Sequence, residues 1–276
     1  MQLDFCTKAE SLKRFNSNFK NDPHVLFPKA VNGFAAQPDV LVETFVEGMP
    51  VLQFAQKYSG DKALLHEMCL IGIQTVCRMI FYHNFIHADL HPGNIFASVS
   101  DGVPKFILVD VGMITEFTDS EHEILVDILA NFIRRNGRRA AELMLLDSER
   151  RMMYSNEQAV NAEKFIATIE NLTETDRHMN FFENIGGYIL YICEAAATHH
   201  VMLNQGFASI ALAVKVQEGV AISLDPNAKV WETANPIIVR AEFRRRITRF
   251  FNRLSDEISN FEWRQVLQES GMSLSD

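Results

Sequence analysis

One stretch, His87-Ala88-Asp89-Leu90-His91-Pro92-Gly93-Asn94-Ile95-Phe96, limits what this chain can fold into more than any other. Pro92-Gly93 blocks a helix through it, so His87 and His91 do not share a helical face as an i, i+4 metal pair would, and no third ligand stands at zinc spacing. Downstream, Ile95-Phe96-Ala97 and Phe106-Ile107-Leu108-Val109 read as two short strands, with Ser100-Asp101-Gly102-Val103-Pro104 as the turn between them. Asp110-Val111-Gly112 comes next, sixteen residues after Asn94. The expected result is a rigid hairpin whose two chain termini carry an amide, Asn94, and a carboxylate, Asp110, with Asp89 just upstream.

The spacing His-x-Asp-x-x-x-x-Asn followed by Asp-x-Gly matches, residue for residue, the phosphate-transfer loop of protein kinases. On that reading His87 and Asp89 are the catalytic pair, Asp89 accepting or orienting the proton of an attacking hydroxyl. Asn94 offers its amide oxygen to magnesium, and Asp110 bridges Mg2+ to the phosphates of ATP. Such chemistry asks the protein mainly for positioning and charge neutralisation. Three departures stand out. Ala88 replaces the arginine that pairs with a phosphorylated activation loop, His91 replaces a lysine near the transferred phosphate, and Val111 replaces the middle phenylalanine of Asp-Phe-Gly.

The loop alone also suits small-molecule kinases of the aminoglycoside and choline type. Further segments choose among these. Leu3-Asp4-Phe5 leading to Ala9-Glu10-Ser11-Leu12-Lys13-Arg14-Phe15, then Val40-Leu41-Val42-Glu43-Thr44-Phe45-Val46-Glu47-Gly48, His87 to Phe96, and Glu218-Gly219 with Leu224-Asp225-Pro226 resemble the UbiB/ADCK (aarF-domain) atypical kinase family over nearly the whole chain. Within it the chain is most similar to the second animal paralogue. The resemblance implies an α+β, mostly helical, protein-kinase-like fold: a partial N-terminal lobe and hinge over 1–50, and a helical C-terminal lobe over 51–276. It also implies a mitochondrial setting, a lipid or quinone-pathway partner linked to coenzyme Q, and a nucleotide site lined by Glu43, Phe45 and Val46.

The same resemblance exposes gaps. The family's Lys-x-Gly-Gln motif, alanine-rich nucleotide loop and strand lysine are not found in these 276 residues, and Lys8 falls where the glutamate partner of that lysine is expected. Either Glu10 takes its place through a shifted helix or the pair is absent. The chain therefore reads as the truncated product of a longer protein, and a catalytically incomplete pseudokinase or interaction module is the main alternative to an atypical kinase or ATPase.

A formal charge of −9 argues against nucleic acid as a partner. Cys6, Cys69, Cys77 and Cys193 lack paired spacing and read as buried free thiols. No eighteen-residue run is free of charge and apolar, so a spanning helix is not expected, and no targeting segment is visible. Helices are expected over about 4–18, 62–83, 118–136 (closed by Gly137), 140–146, 157–172, 180–203 and 207–222, and a buried strand over 40–46. The last helix, about 235–254, sets Arg240, Arg244, Arg245, Arg246, Arg249 and Arg253 against Ile238, Phe243, Ile247, Phe250, Phe251 and Leu254. It reads either as peripheral membrane contact through the stretch from Arg240 to Arg253 or as an ordinary helix with a solvated arginine face.

Overall fold

The computed structural model describes residues 5–31, 40–152, 161–175, 185–230 and 232–245, with 247, 248, 250, 251 and 255 beyond them. The chain divides into two compact units, Met1–Ile238 and Val239–Asp276. In the first, helix α1 (Phe5–Asn18) buries Leu12 and Phe15, and Phe19 just beyond it, along one stripe. Those rings build an aromatic cluster: Phe15 stacks on Phe27 at 5.0 Å and meets Phe85 at 4.7 Å between ring centroids. Each buried phenylalanine contributes roughly 1.5–3 kcal/mol, so the cluster ties α1 firmly to the chain that enters the catalytic-type loop at Phe85.

The strands are short. β1 (Val25–Leu26), β2 (Met49–Pro50), β4 (Ile95–Ser100) and β5 (Val103–Leu108) form one sheet in the order β1-β5-β4-β2, while β3 (Ile86–His87) and β6 (Ile114–Thr115) form a second. β4 and β5 pair antiparallel from Ile95↔Leu108 to Ser100↔Val103. Their two-residue turn, Asp101-Gly102, takes φ of 52° and 76°, as a tight type I′ hairpin requires. This is the expected hairpin, and Ile95, Ala97, Phe106, Ile107 and Leu108 are its fully buried residues.

Residues 40–46 do not form the expected buried strand. Among the described residues this segment bonds through its backbone to 29–31, by Val31 N–H to Val42 O (2.8 Å) and Thr44 N–H to Lys29 O (2.8 Å), around the single bridge Ala30↔Glu43. Val40 and Val42 face solvent. A β-branched run becomes a buried strand only where a partner and a covering core exist along its length, and among the described residues no core covers those valines.

Helices make up the rest: α2 (Val51–Lys57), α3 (Lys62–Arg78), α4 (Asp119–Ile133), α5 (Gly137–Met152), α6 (Ala162–Thr175), α7 (Ile185–Thr198) and α8 (Gln205–Leu224). Asp61 caps α3 by accepting from Leu64 N–H, and a π-helical turn, Met79–His83, carries it on to Asn84, which stops it at φ 47°. By length and composition Lys62–His83 could cross a membrane, contrary to expectation, but 61% of its apolar window is buried inside the fold, as in a core helix. Thr118 and Glu121 form the expected capping box at the start of α4. Gly137, expected to close that helix, instead opens α5; the left-handed residue ending α4 is Arg135, with φ 56°. All four cysteines are free, but Cys6 and Cys193 are only half-buried. Parts of the expected 157–172, 180–203 and 235–254 helices fall outside the described residues, as do the side chains of Arg246, Arg249 and Arg253.

Candidate functional site

The loop between β3 and β4 and the segment after β5 are sewn together by backbone bonds. Ala88 N–H donates to Met113 O (2.9 Å) and Val109 N–H to Asn94 O (3.0 Å). His87, fully buried in β3, reaches the Val109 carbonyl through Nε2 at 3.2 Å. Burial pushes its pKa below the usual 6.5, against the pull of that carbonyl and of Asp89 and Asp110, so the ring is neutral. His87, expected among the catalytic residues, is placed to brace the segment that leads from β5 to Asp110.

Pro92–Asn94 forms a single 3₁₀ turn, begun by His91, whose Nδ1 accepts from Gly93 N–H at 3.1 Å. The His91 ring is thus folded back on its own loop. Asn94 is buried, and its Nδ2 donates to the Asp89 carbonyl (3.1 Å), which presents Oδ1 as the remaining acceptor. Asp89 and Asp110 are both exposed. Asp110 adopts φ 56°, a conformation Asp tolerates better than most residues, directly beyond the buried β5. Asp89, Asn94 and Asp110 therefore gather at one end of the hairpin, fixed by main-chain bonds.

The residue that sequence reasoning placed but did not connect is Lys8. Its Nζ lies 2.9 Å from Asp110 Oδ1 and 3.4 Å from Glu43 Oε1. Lys8, Leu12 and Phe15 stand at i, i+4 and i+7, so the face that packs α1 into the aromatic cluster also points Lys8 at the hairpin. Burial works against its charge, but the two carboxylates outweigh that and raise its pKa above the usual 10.5. Glu10 makes no such contact among the described residues. Of the expected nucleotide-lining residues, Glu43 joins the cluster through Lys8, Val46 is half-buried, and Phe45 is 89% exposed. Gly48 lets this segment descend onto the sheet, since a Cβ there would come within 2.7 Å of Ile107 Cδ1.

An apolar cavity of about 120 Å³ lies away from this cluster, bordered by residues of α3, α4, α7 and α8. It contains none of the loop or hairpin residues and is not the candidate site. The donors at the hairpin end are one carboxylate and one amide oxygen, hard ligands of the kind magnesium takes together with phosphate oxygens. The Lys8 ammonium on Asp110 is a stand-in for such a cation, so the residues fit the metal that the motif implies.

Residues 1–144 match the ABC1 atypical kinase-like domain. The chain is 26% identical over 294 residues to a mitochondrial ABC1 family protein of Saccharomyces cerevisiae, covering 89% of this chain and 44% of that one. It is 24% identical over 306 residues to a probable serine/threonine-protein kinase, abkC, of Dictyostelium discoideum (87% and 43%). It is also 28% identical over 243 residues to the probable protein kinase UbiB of Pseudomonas putida (87% and 43%). It spans less than half the length of these relatives. The matched region takes in α1 with Lys8 as well as the whole loop and hairpin, and the chain belongs to the ABC1, or UbiB/ADCK, family of atypical kinase-like proteins.

Proposed function

We propose that this site, in the full-length protein, binds ATP with Mg2+ and transfers or hydrolyses its γ-phosphoryl group, in support of mitochondrial isoprenoid-quinone metabolism. The observation that carries the reading is the convergence of Asp89, Asn94 and Asp110 on one hairpin end, with a cation already seated on Asp110. When bound, magnesium would neutralise the triphosphate and the charge that develops on transfer. Asp110 and Asn94 Oδ1 would hold it. Asp89, exposed beside them, would orient the attacking hydroxyl or water and take its proton. His87 keeps the Val109 carbonyl satisfied and the hairpin end in place. The mitochondrial part of the proposal draws on a relative named as a mitochondrial ABC1 family protein, and the quinone part on what membership of the UbiB/ADCK family implies.

A second reading, a protein that keeps the fold without turnover, is favoured by one observation: the Lys8 ammonium already occupies Asp110. Magnesium-dependent stabilisation by ATP in the full-length protein decides between them. Asp110→Ala is expected to abolish metal-dependent binding, and Asp89→Asn to keep binding while losing about 10²-fold or more in turnover. Equal loss of binding in both would make Asp89 structural and remove the catalytic reading. Metal-dependent ATP binding with no turnover in the wild type would establish the second.

A further inference from the structure

We propose that Lys8 is the resident counter-cation of this site: it holds Asp110 when no divalent cation is present, is displaced when one arrives, and then presents its charge to the nucleotide phosphates. This rests on the reading of Asp110 as a metal ligand. The geometry is specific. Lys8 spans two carboxylates far apart in sequence, and its side chain is 15% exposed whereas that of Asp110 is 58% exposed. The ammonium therefore approaches Asp110 from the protein side, leaving the outer face of the carboxylate open for an incoming ion.

Charge then forces an exchange. An ammonium and a divalent cation sharing one carboxylate repel each other at a separation of a few ångströms, where unit charges near a protein surface still interact appreciably. One must yield, and Lys8 can, because its charge sits on a flexible four-carbon stem. α1 itself does not need to move: it is pinned by the Phe15, Phe27 and Phe85 rings, by the Arg14 guanidinium lying 4.3 Å over Phe85, and by Arg14 pairing with Glu116 at 2.7 Å. Glu43, 3.4 Å from the same nitrogen, keeps the ammonium in the cleft once Asp110 releases it. A glutamate at position 8, the residue type expected from the family pattern, would reverse the local charge and could do neither job.

The test measures two affinities that Lys8 moves in opposite directions. In the full-length protein, Mn2+ binding without nucleotide is followed by calorimetry, and ATP binding in EDTA by fluorescence competition. Lys8→Met should raise Mn2+ affinity about fivefold, the scale of one part-exposed ion pair. The same change should lower metal-free ATP affinity about tenfold or more, as loss of a charge-assisted phosphate contact does. Lys8→Arg, which keeps the charge, should stay near wild type in both. Unchanged Mn2+ and ATP affinities in Lys8→Met, with Asp110→Ala still abolishing Mn2+ binding, would overturn the role of Lys8 and leave the metal site intact. A fall in both affinities would mean Lys8 is structural and would also overturn it. Wild-type Mn2+ affinity in Asp110→Ala would instead overturn the metal-site reading beneath it.

Discussion

His87 links the site to pH. Its ring is completely buried, Nε2 serves the Val109 carbonyl at 3.2 Å, and Nδ1 has no hydrogen-bond partner among the described residues. The charged form is disfavoured in the fold, chiefly by burial, with His91 adding to that and Val109, Asp89 and Asp110 opposing it. The unfolded chain takes up this proton near the usual 6.5, while the folded chain does so only at lower pH. Below 6.5 the unfolded state therefore binds more protons, and stability falls as pH drops from there toward the folded pKa; above 6.5 the contribution is constant. One such group limits the slope to about 1.4 kcal/mol per pH unit. His87→Phe keeps the buried bulk and removes the titration, at a cost of about 1–2 kcal/mol for the donor lost to a part-buried carbonyl. Urea unfolding of wild type and variant between about pH 5 and 8 checks both parts, because the difference between them cancels the other histidines. The variant should be less stable at about pH 7.5, and the gap should narrow as pH falls below 6.5. A gap independent of pH would show that His87 is not held neutral by the fold and would defeat the argument.

Two more outcomes concern groups elsewhere in the molecule. Gln217 on α8 is buried with neither amide atom partnered among the described residues, and its Nε2 lies where a Cβ on Gly72 would come within 2.6 Å. Gln217→Met, close in shape and without the unmet polar atoms, should stabilise by about 1–2 kcal/mol, read as a higher Tm; a lower Tm would show that the amide is satisfied in solution. In the second unit, Val239, Phe243, Ile247, Phe250 and Phe251 are all exposed at helical spacing beside Arg240 and Arg244, which supports the proposal of peripheral membrane contact. Cardiolipin-rich vesicles should bind the protein less as salt rises, and Phe243→Ser with Phe250→Ser should lose most of that binding; salt-insensitive binding, or an unchanged double variant, would end the idea.

The hairpin is legible in the sequence because its signals are local. Asp101-Gly102 can take two successive positive φ angles between two short apolar runs, so counting residues from the turn places Asn94 and Asp110. The capping box before α4 is legible for the same reason. The Lys8–Asp110 contact is not, since its partners lie 102 residues apart and no spacing rule spans that distance. Lys8 stands out in the sequence only as a lysine at a position expected to be acidic; its destination depends on the Phe15 and Phe85 packing that aims α1. Residues 40–46 mislead because their composition is that of a buried strand, while among the described residues they pair only with 29–31 and leave Val40 and Val42 exposed.

Geometry and charge at this site are controlled by different parts of the chain. The positions of Asp89, Asn94 and Asp110 are set by main-chain bonds, Val109 N–H to Asn94 O and Ala88 N–H to Met113 O, backed by a buried neutral histidine. The charge beside Asp110 comes instead from a side chain of α1, Lys8, which is no part of the hairpin. With a net charge of −9 and both Glu43 and Asp110 on Lys8, the proposed entry of an anionic triphosphate depends on positive charge supplied from α1. On the proposed exchange of cations at Asp110, this separation would let the loop stay preformed, so that binding of a divalent ion would not be coupled to refolding of the loop.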